Sequence, residues 1–176
     1  MKSIECKIRR GNIADAETLA PFAVGVFQDT FAGNPLNAPE DMSIYIAESM
    51  SVAAFREELT DADATFFIAE NGGAILGYAK LQEHSTEDCV TDENPIELQR
   101  LYLAKEFHGT GIAEKLMRQC FDFARQKNYQ TMWLGVWEHN FRAQRFYEKL
   151  DFRQVGTHVF QLGADAQTDW VMERKL

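Results

Sequence analysis

An apolar segment that leads through a glycine-containing loop into an amphipathic helix constrains this chain most. Residues 96 to 103 are mostly apolar, and His108-Gly109-Thr110-Gly111-Ile112-Ala113 follows shortly afterwards. Apolar residues then recur at the spacing of one helix face, from Ala113 to Ala124. Two glycines let a backbone approach a bound group closely, and the free N–H groups at a helix N-terminus attract anions. The segment therefore predicts a phosphate-binding loop at the start of a helix.

A plain strand-to-helix turn is the alternative, because a Gly-x-Gly pair alone is a weak signal. The loop is not a dinucleotide-binding fingerprint. That motif needs a third glycine or alanine where this chain has Glu114. It also needs an acidic residue at the end of the next strand, where we predict Trp137.

The length of the chain predicts one domain spanning residues 1–176. Its formal charge is −9, from 18 basic and 27 acidic residues. This balance argues against a nucleic-acid partner and fits a small neutral or cationic one, although acidity also simply favours solubility. The three cysteines lack C-x-x-C spacing, and no signal peptide or long apolar run is evident. We therefore expect a cytoplasmic protein with no membrane partner.

Patterning along the chain predicts helices in the first third and alternating strands and helices in the second half. We expect an α/β fold with a mixed, mostly antiparallel sheet of about seven strands, in which the long helix joins a parallel pair. The predicted strands are 6–10, 65–69, 73–81, 96–103, 132–137, 152–161 and 169–174, and the predicted helices 14–30, 39–48, 51–59, 111–127 and 140–150. A tight turn is predicted at Asn71-Gly72.

The connection between Glu83 and Pro95 carries five acidic residues and no basic one. It could attract a cation or could be a solvated hairpin connection. His84 and Cys89 lack the spacing of metal ligands, so we predict no metal site.

Strand, Gly-x-Gly loop, helix and strand, followed by Asn140-x-x-Ala143-x-x-Phe146-Tyr147, resemble the GCN5-related N-acetyltransferase (GNAT) superfamily, whose members transfer an acetyl group from acetyl-CoA to an amine. Segments such as Trp133-Leu134-Gly135-Val136-Trp137-Glu138 and His158-x-Phe160 are similar to the Pai-type spermidine/spermine acetyltransferases. The resemblance implies the GNAT fold, with splayed parallel strands that hold acetyl-CoA. It also makes a homodimer possible, by analogy alone.

The same resemblance implies a set of cofactor-binding residues. The pyrophosphate contacts the loop amides, the pantetheine arm pairs with the strand backbone, and an asparagine contacts the arm. The set comprises Leu101, Tyr102, Leu103, His108, Gly109, Thr110, Gly111, Ile112, Ala113, Asn140, Ala143 and Phe146. His108 departs from the Gln or Arg usual at its position, and Asp151 replaces a glycine that ends the following helix. Asn140 could equally be a helix N-cap.

Acetyl transfer needs a neutral amine, a stabilised oxyanion and a proton for the departing thiolate. Tyr147 matches the family's general acid, although it also fits an apolar helix stripe. Gln99 stands where several members have a glutamate base, and an amide cannot take the proton. Glu97, two residues earlier and so expected on the same strand face, is the nearest substitute, and a solvent-facing strand residue is the alternative. Water or an already neutral amine could also serve.

A polyamine acceptor would need carboxylates for its remote ammonium groups and aromatic faces for its methylenes. Asp29 and Phe31 are the substrate-binding candidates, with Glu40 and Asp41 on the next helix, although each could instead be a cap or core residue. The hypothesis is acetyl transfer to a primary amine, most simply spermidine or spermine, in a direct ternary complex. Another amine, such as a protein N-terminus or an aminoglycoside, and a non-catalytic acyl-CoA sensor are the alternatives.

Overall fold

The computed structural model describes residues 5–176, which fold around one seven-stranded sheet. The helices are α1 (Ala16–Phe31), α2 (Pro39–Ser49), α3 (Val52–Thr60), α4 (Ile112–Gln126) and α5 (Phe141–Glu148). The strands are β1 (Lys7–Arg10), β2 (Ala64–Asn71), β3 (Ala74–Gln82), β4 (Pro95–Leu103), β5 (Thr131–Trp137), β6 (Arg153–Leu162) and β7 (Asp165–Lys175). Short 3-10 turns precede α1 and α4.

The strand order is β1-β2-β3-β4-β5-β7-β6, and every neighbouring pair except β4 and β5 is antiparallel. Helix α4 connects those two parallel strands, as a parallel pair requires a crossover. The predicted mixed, mostly antiparallel seven-stranded sheet is confirmed.

Strands β4 and β5 separate after a short paired segment. Their register covers only Pro95–Glu97 against Thr131–Trp133. Beyond it, the remaining residues of β4 have no strand partner on the β5 side within residues 5–176, whereas their other edge pairs with β3. Backbone N–H and C=O groups need partners when they are buried. The gap therefore offers unpaired backbone to a bound group.

Two apolar cores lie on opposite faces of the sheet. Helix α4 packs its apolar side on residues that include Leu98, Leu103 and Leu134, and α5 adds Tyr147 to this core. Helices α1, α2 and α3 cover the other face, where Tyr78 and Ile68 are completely buried. This second face, with its three helices, is called here the acceptor face.

Helix boundaries follow local capping chemistry. The predicted start of α1 at Ala14 falls in the 3-10 turn, which Asn12 and Asp15 cap reciprocally. Ser51 accepts a hydrogen bond from the Ala54 N–H, confirming it as the N-cap of α3. Asp151 ends α5 with a φ of 64°, so aspartate tolerates the left-handed conformation that glycine usually supplies.

The predicted Asn71-Gly72 turn was wrong by one residue. Asn71 pairs with Ala74, so Gly72 and Gly73 occupy the turn, with φ values of 56° and 86°. A two-residue hairpin turn of this hand needs positive φ at both central positions, and a Gly-Gly pair meets that need more readily than Asn-Gly.

Candidate active site

A cleft of about 940 Å³ opens where β4 and β5 separate. Residues from α1, α2 and α3 line it on the acceptor face, and strands β3 to β7 together with α5 complete its walls. Of the residues predicted from sequence, the cleft brings together Glu97, Leu101, Tyr102, Asn140, Ala143, Tyr147 and Phe31. The gap in the sheet thus joins the acceptor face to α5.

The predicted phosphate loop lies at the start of α4. Gly109 and Gly111 have φ values of 75° and 85°, which other residues adopt only with strain. No side chain caps the helix at Gly111, and a Cβ added at either glycine would meet no atom within 4 Å among the described residues. The first-turn N–H groups therefore border open space, as an anion site requires.

The side chains of this loop have hydrogen-bond or packing partners of their own, which favours binding of an anion by the loop backbone. His108 Nε2 lies 3.0 Å from the Leu103 carbonyl oxygen, and burial together with nearby Arg142 lowers the pKa of His108. A neutral imidazole can donate from Nε2 to that carbonyl. Thr110 donates its hydroxyl to the Phe107 carbonyl, and Ile112 is buried in the core. His108 Nε2 and the Thr110 hydroxyl hydrogen are thus already engaged by main-chain carbonyls of the same loop region.

Helix α5 brings Asn140, Ala143 and Tyr147 to the cleft. Asn140 is the N-cap, since its Oδ1 accepts from the Ala143 N–H at 3.2 Å, so the capping role is confirmed. Phe146 packs against Tyr147 and the core and does not line the cleft.

Tyr147 is the candidate acid. Its side chain is 8 % exposed and packs between Phe146 and Phe152. Burial raises the pKa of Tyr147 well above its usual value, and Cys120 adds to the effect. The phenol is therefore fully protonated at neutral pH and can donate a proton into the cleft that it lines.

Glu97 lies on the acceptor face because of an irregularity in β4. Arg100 pairs with Lys80 and Leu98 with Leu81, which leaves Gln99 as an extra, unpaired residue. Glu97 and Gln99 both line the cleft. The extra residue resets the alternation, so Glu97 shares its face with Arg100 and Tyr102.

The Glu97 carboxylate is half-buried beside the cleft. Ser85 donates its hydroxyl to Glu97 Oε2 at 2.8 Å. Burial raises the pKa of Glu97, while the Ser85 hydrogen bond, Lys80 and His158 oppose that rise. A carboxylate with a raised pKa is a better proton acceptor than an exposed one.

Buried charges next to Glu97 form a compact network. Glu58 of α3 accepts two hydrogen bonds from Arg100, at 2.7 and 3.0 Å, and lies 3.1 Å from Lys80 Nζ. Lys80 is 4 % exposed, and burial lowers its pKa while Glu58 opposes the shift. Removing Glu58 would leave two buried cations without their partner, a change that costs about 3 to 5 kcal/mol in such networks.

His158 of β6 supplies a third cation. Its Nδ1 lies 2.8 Å from Glu87 Oε2, and its Nε2 lies 3.8 Å from Asp169 Oδ2. These two carboxylates, Asp169 first, outweigh burial and raise the pKa of His158 to about 9. A Cβ on Gly135 would stand 2.7 Å from Nε2, so glycine is needed there for His158 to lie against β5.

Other acidic residues have separate environments. Asp29 is exposed and lies outside the cleft lining, while Phe31 lines it and packs edge-on against Trp137. Glu40 is exposed, and Asp41 accepts a hydrogen bond from the Ala164 N–H. Glu48, Glu57 and Asp61, which sequence reasoning missed, line the cleft with exposed carboxylates and have no ion pair within residues 5–176.

The connection between β3 and β4 is not a free acidic loop. Glu83 accepts a hydrogen bond from the Tyr129 hydroxyl at 2.7 Å, Glu87 contacts His158, and Asp92 contacts Thr131 and Lys175. No group of three or more potential metal ligands occurs in the part of the chain that the structure describes. None of the helices described is long and apolar enough to span a membrane.

Several site residues were missed because they meet only through the fold. Glu58, Lys80 and Arg100 come from α3, β3 and β4, and His158 meets Asp169 across β6 and β7. The charged residues in an otherwise apolar β3 and β4 were the only available signal, since a buried charge needs a partner.

Comparison with known proteins agrees with the fold and the cleft. Residues 34–152 match the model of the Acetyltransferase (GNAT) family. An uncharacterized N-acetyltransferase of Mycobacterium tuberculosis is 38% identical over 164 residues, covering 93% of this chain and 99% of that protein. An N-acetylaspartate synthetase of Danio rerio is 34% identical over 91 residues, covering 52% of this chain and 30% of that protein.

Among solved structures, the PaiA N-acetyltransferase of Thermoplasma acidophilum in complex with coenzyme A superposes with a TM-score of 0.77. It is 25% identical and covers 98% of this chain and all of that one. The chain therefore belongs to the GNAT family of acetyltransferases. It is an acetyl-CoA-dependent N-acetyltransferase, with acetyl-CoA as co-substrate and an amine as acceptor.

Proposed function

We propose that this enzyme acetylates a primary amine of a polyamine such as spermidine or spermine, in a direct ternary complex. The observation that carries the proposal is the charge of the cleft. Six carboxylates line it, against the two basic side chains of Lys80 and Arg100 and the imidazolium of His158. A flexible multiple cation complements such a cleft in both charge and shape.

The mouth of the cleft supports a remote ammonium site. Glu58 is occupied by Lys80 and Arg100, but Glu48, Glu57 and Asp61 have no cationic partner among the described residues. Aromatic side chains line the path inward from this rim, namely Phe27, Phe31, Tyr45, Tyr102, Trp137 and Phe160. Methylene groups of a polyamine would pack on these rings while its outer nitrogen meets the rim.

Acetyl-CoA would enter from the side of α4 and α5. The amides of Gly109 to Ala113 and of the first turn of α4 would hold its pyrophosphate. The unpaired edge of β4, at Leu101 to Leu103, would pair with the pantetheine arm, and Asn140 and Ala143 would flank it. These residues present the thioester at the gap between β4 and β5.

Acetyl transfer needs one residue that accepts a proton and one that donates a proton. Glu97 takes the proton from the entering ammonium, so that the neutral nitrogen attacks the thioester carbonyl. A backbone N–H near Leu101 to Leu103 stabilises the developing oxyanion. As the tetrahedral intermediate collapses, Tyr147 donates its phenolic proton to the departing thiolate of coenzyme A, and the nitrogen gives its second proton to solvent, from which Tyr147 is reprotonated. Glu97 then releases the first proton to solvent and is ionised again. The reaction thus forms one amide and releases free coenzyme A.

Coenzyme A release by the purified protein tests the proposal with a panel of amines. The panel contains spermidine, spermine, a lysine peptide, a peptide with a free N-terminus, an aminoglycoside and butylamine, which keeps one primary amine but lacks remote charge. Saturable turnover with a kcat/KM for spermidine at least about tenfold above that for butylamine would support a polyamine acceptor. Equal values for the two amines would contradict it.

Rim variants make the test specific. Glu57→Gln and Asp61→Asn should raise KM for spermidine and leave kcat, and KM for butylamine, near the parent values, since the rim contacts only the remote charge. Asp122→Asn, which removes an exposed carboxylate of α4 outside the cleft, is the matched control.

An amino acid acceptor is a second candidate, favoured by one feature. Lys80 and Arg100 line the cleft on the same face as Glu97, where they could receive an acceptor's carboxylate. The N-acetylaspartate synthetase relative, whose name denotes an acetylated aspartate, points the same way. Adding L-aspartate to the panel separates the two candidates, because turnover with aspartate and none with spermidine would replace the polyamine.

A further inference from the structure

The connection between β3 and β4, residues 83–94, folds over the acceptor face and reaches Glu97. Ser85 Oγ donates to Glu97 Oε2 at 2.8 Å. Glu97 lines the cleft, whereas Ser85 does not. Ser85 therefore touches the candidate base from outside the cleft lining and would not compete with the acceptor amine for space.

Two contacts hold Ser85 in this position. Trp133 of β5, the cross-strand partner of Glu97, donates its indole N–H to the Ser85 carbonyl at 3.1 Å. On the other side, Glu87 of the same connection lies 2.8 Å from His158 Nδ1, and the His158 ring packs edge-on against Trp133. The connection is thus fastened to both β5 and β6.

Charged groups of several elements surround Glu97. Lys80 of β3 and His158 of β6 favour its ionised form, and Glu87 of the connection opposes it. Glu58 of α3 pairs with Lys80, and Asp169 of β7 lies close to His158. Burial favours the neutral form. Among these groups Ser85 is the one that donates a hydrogen bond to the carboxylate itself, and such a bond stabilises the charged form.

We propose that Ser85 and His158 are positioning residues for Glu97, with Ser85 orienting the carboxylate and His158 holding, through Glu87, the connection that carries Ser85. This inference rests on the proposed role of Glu97 as base. The Ser85 bond occupies Oε2 and leaves Oε1 for the proton of the acceptor ammonium. A carboxylate held in one orientation and kept ionised is ready to accept that proton without prior reorganisation.

Ser85→Ala tests the proposal that Ser85 orients the Glu97 carboxylate. The pH dependence of kcat/KM is measured with acetyl-CoA and spermidine, or with whichever panel amine turns over. Without the hydroxyl, Glu97 binds a proton more readily, so the ratio of kcat/KM at pH 8 to that at pH 6 should rise at least about threefold over the parent ratio. Ser85→Thr keeps the hydroxyl and should restore the parent profile, and the Kd for acetyl-CoA should stay unchanged in both.

His158→Asn tests the positioning role of His158 in the same assay. It should also raise the ratio of kcat/KM at pH 8 to that at pH 6. His84→Asn is the matched control, because His84 precedes Ser85 in the same connection yet has an exposed side chain that faces Asp63. It should retain the parent profile. A loss of activity equal at all pH values in Ser85→Ala, or an unchanged profile, would overturn the inference.

Glu97→Gln separates this inference from the function on which it rests. If Glu97 is the base, its amide variant loses the acidic limb of the profile. If the acidic limb persists in Glu97→Gln, Glu97 is not the base, and Ser85 and His158 are not its positioning residues. If the acidic limb disappears in Glu97→Gln but does not move in Ser85→Ala, Glu97 is the base and only the positioning role of Ser85 is overturned.

Discussion

At the scale of single residues, Tyr147 combines a polar group with an apolar setting. Its ring belongs to the α4 core, yet its side chain lines the cleft. Of the two interpretations that the sequence left open, general acid and core residue, the packing confirms the second, and it leaves the side chain at the cleft where the first would act. The role of Tyr147 as general acid stays a prediction, and removal of its phenolic oxygen tests it.

Tyr147→Phe should lower kcat at least about tenfold and leave the Kd for acetyl-CoA near the parent value, because it removes the proton donor and keeps the packed ring. Steady-state turnover and calorimetric binding measure the two quantities. Tyr78→Phe is the matched control, since the Tyr78 hydroxyl is buried without a hydrogen-bond partner among the described residues and does not line the cleft. Unchanged turnover in Tyr147→Phe would remove this tyrosine from the mechanism.

His158 links pH to stability. Its pKa is about 9 in the folded chain, because of Asp169 and Glu87, against an unfolded value near 6.5. A group whose pKa rises on folding stabilises the fold fully below its unfolded pKa and loses that contribution as pH rises through its folded pKa. We expect about 2 kcal/mol of folding free energy to be lost between pH 7 and pH 10 through this residue.

Urea unfolding of the parent and of His158→Asn at both pH values measures this term. The parent should lose more stability than the variant over this range, and the difference isolates His158 from the lysines and tyrosines that also titrate. Equal losses in the two proteins would show that the folded pKa of His158 is not raised.

At the scale of elements, sequence patterns predicted what depends on local chemistry. Hydrophobic spacing, the Ser51 cap and the glycines placed α3, α4 and the succession of strands and helices in the second half correctly to within a few residues. The irregularity at Gln99 was not predictable, because an extra residue leaves no mark on an apolar strand until its partner β3 is known. That one residue decides which face of the sheet Glu97 occupies.

The loop before α4 was the most secure element-level prediction. Its positive φ values and uncapped helix start follow from the Gly-x-Gly pattern and the helix spacing. Binding of a pyrophosphate there is a prediction. Substitution of Gly111 and of Gly73, which have similar φ values, can distinguish loss of such binding from an effect of backbone strain.

Gly111→Ala should raise the Kd for acetyl-CoA at least about tenfold, because the new methyl group strains the turn and enters the space beside the helix amides. Gly73→Ala is the matched control. Its φ of 86° equals that of Gly111 within a degree, and an added Cβ also meets no described atom within 4 Å, but it lies in the β2–β3 turn. Both variants should lose about 1 kcal/mol of stability. Equal acetyl-CoA affinity in the two would contradict the placement of the pyrophosphate.

At the scale of the whole molecule, the open pair β4 and β5 organises the fold around a passage through the sheet. The α4 core lies on one side and the three-helix core on the other, and the cleft connects them. A resemblance in sequence predicted this architecture. The ionic network of Glu58, Lys80 and Arg100 could not be predicted, because its members are up to 42 residues apart and meet only through the pairing of β3 with β4 and the position of α3.

The charge of the whole chain gives the last prediction. With a formal charge of −9 and a carboxylate rim at the cleft, a polyamine should be attracted over a distance that salt controls. Between about 0.01 M and 0.15 M ionic strength the Debye length falls from roughly 30 Å to 8 Å, which screens a trivalent cation more strongly than a monovalent one. The kcat/KM for spermidine should therefore fall several-fold more than that for butylamine over this range, mainly through KM. Equal salt dependence of kcat/KM for the two amines would mean that the rim does not contribute to the choice of acceptor. The buried cations of the acceptor face would then be the next residues to test.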